Sequence, residues 1–255
     1  MNRIENLFQN KKNILNIYLT AGYPKLNDTV EIVKELENAG VDMVEIGMPF
    51  SDPLADGPVI QHSSTVALKN CMTLNLIFSQ IQEIRKSSDI PIIMMGYFNQ
   101  LMQYGEEAFF EKAAHCGVDG LIIPDLPVEI YSETYNDKVK KLGLDMIFLI
   151  SPQTENERIR LLDEASSGFL YVVSSASTTG KISNMEQEKS YFERIQKMKL
   201  KNPLLIGFGI SDKKSYDTAC NYASGAIIGS AFIRALEKNG SIKQSVHEFI
   251  KTIRP

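Results

Sequence analysis

A glutamate sits inside an apolar, strand-like run, Val44-Glu45-Ile46-Gly47, and a second carboxylate, Asp56, follows across a proline-rich loop, Met48-Pro49-Phe50-Ser51-Asp52-Pro53-Leu54-Ala55. One acid fixed on a strand and one on a loop suit acid–base chemistry on a small molecule. Both also have a plain structural reading. Glu45 can be a buried carboxylate satisfied by backbone amides, and Asp56 an Asp-Gly turn residue. Asp52, directly before Pro53, reads as a loop-structuring residue. Competing chemistry is scarce. His62, His115 and His247 lie far apart, with no spacing that suggests zinc. Cys71, Cys116 and Cys220 are isolated and odd in number, and read as small buried hydrophobes in a reducing compartment. No lysine falls inside a predicted strand, which weakens Schiff-base chemistry, and no nucleotide-binding fingerprint is present.

The elements that must position the two acids follow from hydrophobic spacing. Eight apolar runs read as strands: Ile14–Leu19, Met43–Ile46, Pro91–Met95, Gly120–Ile123, Asp145–Ile150, Phe169–Val173, Leu204–Gly207 and Gly225–Ile228. Helical patterns lie between them, at Asp28–Ala39, Leu74–Lys86, Glu106–Cys116, Val128–Leu142, Glu155–Ala165, Glu188–Met198, Asp212–Ala223 and Ala231–Glu237. Strict alternation implies a parallel sheet with right-handed crossovers. Eight repeats in 255 residues favour an α/β single-domain (β/α)8 TIM barrel over residues 1–255, with an open doubly wound sheet as runner-up. In the second strand, Val44 and Ile46 should face the helices, and Met43 and Glu45 the barrel interior. Glu45 then lies near the open mouth, where partial burial raises its pKa. The loops Phe50–Gly57 and Ser174–Gln187 follow strands two and six, so both belong to the C-terminal face and are expected to close over a ligand.

At the far end of the pattern, Leu205-Ile206-Gly207-Phe208-Gly209-Ile210-Ser211 and Gly225-Ala226-Ile227-Ile228-Gly229-Ser230-Ala231-Phe232 put small residues between a strand and a helix. Glycines there let a phosphate reach backbone amides, and loops after strands seven and eight form the recurrent phosphate site of barrel enzymes. Close helix–strand packing is the structural alternative. The composition, 44% hydrophobic and 23% charged with net charge −4, is that of an ordinary soluble enzyme and argues against nucleic acid as a partner. Met1 to Lys12 is polar with no signal core, and no run approaches a membrane span, so a cytoplasmic location is expected.

The run from Glu45 to Gln61, with Phe50-Ser51-Asp52-Pro53-Leu54-Ala55-Asp56-Gly57-Pro58, closely resembles the alpha subunit family of tryptophan synthase. Further matches are Thr20-Ala21-Gly22-Tyr23-Pro24, Tyr97-Phe98-Asn99, Asp125-Leu126-Pro127, Tyr171, Thr179-Gly180, Gly207-Phe208-Gly209-Ile210 and Gly229-Ser230-Ala231. The resemblance implies a (β/α)8 barrel that splits indole-3-glycerol phosphate into indole and glyceraldehyde 3-phosphate, a lyase step in tryptophan biosynthesis. It implies no cofactor in this subunit, and a beta subunit partner that carries pyridoxal phosphate in an alpha2-beta2 heterotetramer. By the resemblance, Glu45 serves both proton transfers and Asp56 attends to the indole nitrogen. Tyr18, Leu149, Tyr171 and Phe208 would wall the indole. Thr179 would add a hydroxyl, and Gly180, Gly207, Phe208, Gly209, Gly229 and Ser230 would hold the phosphate. One departure stands out: Ser175 and Ser177 occupy positions where the family usually has Arg and Gly. The same residues are compatible with a free-standing indole-glycerol phosphate lyase. A non-catalytic activator of a beta subunit and a sugar-phosphate isomerase are further alternatives.

Overall fold

The structure, a computed structural model, describes residues 2–174, 185–207, 209–237 and 240–255. Its strands are β1 (Ile14–Thr20), β2 (Met43–Gly47), β3 (Ile92–Met95), β4 (Gly120–Ile122), β5 (Asp145–Ile147), β6 (Leu149–Ile150), β7 (Leu170–Val173), β8 (Leu204–Gly207) and β9 (Gly225–Ile228). All pair in parallel, in the order β5-β4-β3-β2-β1-β9-β8-β7-β6. The two ends of that order are consecutive in the chain, so the chain itself closes the ring into the expected barrel. The expected strand Asp145–Ile150 is broken at Phe148, because it must leave β4 and join β7. At the break the Phe148 carbonyl accepts the Tyr171 amide at 3.0 Å, and its own amide donates to Ser166 Oγ at 3.3 Å.

Three-residue spacing and capping account for helices that simple alternation missed: Arg3–Asn10, Pro58–Lys69, Phe98–Tyr104 and Ile242–Ile253. Asn2 and Glu5 form a reciprocal capping box at the first. Pro58 opens the second directly after Gly57, where its missing N–H costs nothing. The expected helix Val128–Leu142 is interrupted by a wider π turn at Tyr131–Tyr135. The expected helix Ala231–Glu237 starts at Ser230. Of the cysteines only Cys116 is buried. Cys71 is exposed, which corrects its reading as a core residue.

Strand alternation sorts the core into two layers. Leu15, Ile17, Val44 and Ile46 pack outward against helices, while Ile14, Met43, Ile93, Ile122, Ile147, Phe169, Leu205 and Ile227 fill the barrel. Ile4, from the helix Arg3–Asn10, joins this inner layer and is fully buried. Beneath it, acids at the N-terminal ends of strands are tied to cations and amides. Asp119 meets Arg3 at 3.1 Å, Arg85 at 2.7 Å and the Ile92 amide at 2.8 Å. Asp42 meets Lys11, Arg254 and the Leu15 amide.

Ile4→Ala should cost about 2–5 kcal/mol of stability, because it opens a cavity where neighbouring strands cannot collapse. Chemical denaturation measures this, and a loss below about 0.5 kcal/mol would show that the N-terminal helix is not part of the core.

Candidate active site

Glu45 is carried on β2 with Tyr18 beside it on β1 and Ile93 on β3. Its neighbours Val44 and Ile46 face the helices, as the alternation requires. The carboxylate is 1% exposed. Asn16 Nδ2 donates to Glu45 Oε1 at 2.5 Å, and Oε2 has no hydrogen-bond partner among the described residues. Burial pushes the Glu45 pKa up to about 8, and the Asn16 bond opposes that shift.

Asp56 is half-buried and is held by the turn that follows β3. The Tyr97 hydroxyl donates to Asp56 Oδ2 at 3.2 Å and accepts the Ala55 amide at 2.9 Å. The Tyr97 ring stacks on Phe50, with centroids 5.2 Å apart. Gln61 Nε2 binds the Asp56 carbonyl at 2.9 Å, and Gln100 Nε2 the Pro49 carbonyl at 3.0 Å. The Asp56 loop is therefore fastened at several points to the barrel rim. Burial raises the Asp56 pKa to about 6, against a lowering by the Tyr97 bond. Neither acid has a cation within ion-pair distance among the described residues, in contrast to Asp42 and Asp119 at the opposite end. Between about pH 6 and 8 the pair therefore holds one proton on Glu45 and one charge on Asp56.

Both acids line one cavity of about 340 Å³ at the C-terminal face of the barrel. Tyr18 and Tyr171 form part of its wall, and Gly209, Ser211, Gly229, Ser230 and Arg234 lie along it. Two glycines make room for the tyrosines. A Cβ on Gly47 would fall 2.0 Å from the Tyr18 hydroxyl, and one on Gly207 would fall 2.2 Å from that of Tyr171. Gly207 thus seats Tyr171 and is not itself on the cavity lining, and Leu149 lies beside Tyr171 on β6, also off the lining. Gly209 has φ +73°, a conformation that favours glycine. Gly229 is different. Its φ is −115°, and a Cβ would meet only Tyr18 Cβ at an ordinary 3.5 Å. A Cβ there would make only ordinary contacts, so close packing does not account for the glycine.

Thr179, Gly180 and Phe208, with Ser175 and Ser177, lie outside the described residues. Sequence reasoning missed Asn16, Tyr97 and Arg234 as site residues. Asn16 left a signal, a lone amide in the apolar run Ile14-Leu15-Asn16-Ile17. Tyr97 stood in a matched motif but carried no role, and Arg234 left no mark. A larger cleft of about 460 Å³ at the other end, lined by Phe8, Lys11, Lys12 and Tyr222 among others, includes no carboxylate. Among the described residues no cluster of metal-ligating side chains occurs, and His62 and His115 are exposed on helices while His247 pairs with Glu35 at 2.9 Å.

Fold and cavity together define a (β/α)8 barrel with a paired-carboxylate pocket at its C-terminal mouth. A family model described as tryptophan synthase alpha chain matches residues 4–254. The tryptophan synthase alpha chain of Flavobacterium johnsoniae is 56% identical over 255 residues, all of both chains. That of Christiangramia forsetii is 52% identical, covering 100% of this chain and 99% of that one. The crystal structure of the alpha subunit from Legionella pneumophila superposes with a TM-score of 0.90 at 33% identity, covering 100% and 97% of the two chains. A chain of the tryptophan synthase complex from Pyrococcus furiosus gives 0.87 at 31%, covering 95% and 98%. The chain belongs to the tryptophan synthase alpha chain family.

An unfolded glutamate titrates near 4.5, whereas folded Glu45 titrates near 8. Between those values the unfolded chain releases a proton that the folded chain keeps. This site's contribution is therefore full below the lower value and is lost as pH rises to the upper one, by up to about 1.4 kcal/mol per pH unit. Urea unfolding at about pH 5.5 and about pH 8.5 should show Glu45→Gln gaining stability over the unaltered chain at the higher pH. Parallel pH dependence of the two proteins would exclude a buried, titrating Glu45.

Proposed function

We propose that this chain splits indole-3-glycerol phosphate into indole and glyceraldehyde 3-phosphate, with Glu45 and Asp56 as its catalytic residues. The carrying observation is that two acids without cation partners among the described residues, with raised and unequal pKa values, share one cavity with Gly229, Ser230 and Arg234. Glu45 enters the reaction protonated and delivers its proton to C3 of the indole ring. The positive charge that develops at the ring nitrogen is met by the Asp56 carboxylate, which accepts a hydrogen bond from the ring N–H. Glu45, now charged, accepts the proton of the hydroxyl on the carbon attached to C3. The C–C bond breaks, its electrons return to the ring and neutralise the nitrogen, and the hydroxyl carbon leaves as an aldehyde. Glu45 ends protonated, ready for another turnover.

Tyr18 and Tyr171 supply flat walls for the ring. The phosphate lies against the amides of Gly209, Gly229 and Ser230, and Arg234 supplies the positive charge, being the one cation among the described residues on the lining. These steps draw on the chain's own side chains, and we assign it no cofactor. The large apolar side chains that stand exposed include Leu54 at 93%, Met102 and Ile130, on the segments that follow β2, β3 and β4. They fit a docking face for a beta subunit, which would carry the pyridoxal phosphate of the expected alpha2-beta2 assembly. No helix among the described residues is long and apolar enough to cross a membrane, and a cytoplasmic location suits the reading.

Release of indole from indole-3-glycerol phosphate tests the reaction. Glu45→Gln and Asp56→Ala should each lower kcat about 10²–10⁴-fold. The pH profile of kcat/KM should fall on the acid side near 6 and on the alkaline side near 8. Unchanged indole release in either variant would remove that residue from the mechanism. At the other end of the cavity, Gly229→Ala and Arg234→Gln should raise KM about tenfold or more with kcat nearly kept, as expected for lost uniform binding. A fall in kcat at unchanged KM would instead put these residues at the reacting bond.

A further inference from the structure

We infer that Asn16 is a positioning residue for Glu45, fixing which carboxyl oxygen carries the proton that moves. The inference rests on the assignment of Glu45 as the acid. Asn16 is fully buried in β1, one residue pair below Tyr18, where an unpaired amide is expensive. Its Nδ2 is 2.5 Å from Glu45 Oε1, while its own Oδ1 finds no partner among the described residues. Among the described residues the side-chain amide therefore makes this one hydrogen bond, and makes it with the acid.

The chemistry of the contact is asymmetric. Nδ2 is the end of the amide turned to Glu45, and an N–H only donates, so in this arrangement Oε1 is the accepting oxygen. When Glu45 is neutral its proton is then on Oε2, which has no hydrogen-bond partner among the described residues. The bond also restrains rotation of the carboxyl group, so each proton leaves and returns at one place. The other groups facing Glu45 are Tyr18 on β1, Tyr171 on β7 and Asp56 on the loop. None of them is a cation, and the Asn16 hydrogen bond favours the charged carboxylate, the form needed to take the hydroxyl proton.

The experiment compares Asn16→Leu and Asn16→Ala with the unaltered chain and with Glu45→Gln. The expected result is a fall in kcat of about tenfold with KM within about twofold, and an alkaline limb of kcat/KM moved up by about half a unit to one unit. Leu keeps the volume and Ala avoids overpacking, so one folded variant suffices. Should neither fold, Asn16→Asp in the same assay must still lift the alkaline limb, since a second acid beside Glu45 makes its ionisation harder. An unmoved alkaline limb in the folded variants, with Glu45→Gln inactive, overturns the role of Asn16 alone. Full activity of Glu45→Gln overturns the assignment of Glu45 on which it rests.

Discussion

A carboxyl group buried at the mouth of the barrel, with no cation beside it among the described residues, is the constraint around which the rest is arranged. An isolated buried carboxylate costs several kcal/mol relative to water, so the group answers by keeping its proton. Glu45 is in this position because β2 alternates, sending Met43 and Glu45 inward while Val44 and Ile46 hold the helices. Below it the barrel is filled by aliphatic side chains and closed by Ile4, so water cannot reach it from that end. Tyr18 sits beside it, with its hydroxyl over Gly47. A neutral acid held this way is the form able to give a proton to carbon, and the cost of burial is what keeps it neutral near pH 7.

The same residue types behave differently at the two ends of the barrel. Asp42 and Asp119 at the bottom are buried too, yet arginines and strand amides surround them. These pairs join the first helix, the C-terminal residues and the strands, which is a structural task. At the top, among the described residues, Asp56 has only the Tyr97 hydroxyl and Glu45 only the Asn16 amide as side-chain donors. Donors of this kind orient a carboxylate without locking its charge. The separation of stability from chemistry along the barrel axis is thus a matter of partners and not of composition.

Much of this was legible in the sequence for physical reasons. A glutamate in an apolar run is anomalous, and period-two alternation states which way it points. Eight repeats state that the sheet can close. The division of the fifth strand at Phe148 was not legible, because closure depends on where that strand changes neighbours, which is a long-range geometric demand. The helix Arg3–Asn10 was also hidden. Its apolar side chains are few, and its role as a plug depends on a barrel bottom that local spacing cannot show. Asn16 was legible in type but not in purpose, since only the diagonal across two paired strands brings its amide to Glu45. Gly207 carries a second demand that its place in the sequence does not show. A glycine after a strand reads as a phosphate seat, yet here its missing side chain is filled by the Tyr171 hydroxyl.

On the proposed reading, the difference between the two acids becomes larger when it matters. Substrate entry brings an apolar ring between Tyr18 and Tyr171 and displaces water from Asp56, which by itself would push that acid toward neutrality. Protonation of the ring at C3 reverses this, because a cation then forms beside the Asp56 carboxylate and favours its charge. The interaction is weak with the neutral ring of the ground state and strong with the charged ring of the transition state, so it lowers the barrier and not merely KM. Glu45 undergoes the complementary change, from neutral to charged, as the proton leaves it. One negative charge therefore becomes two just as one positive charge appears between them. The cavity's total charge is conserved through the step, and little of the surrounding protein has to reorganise.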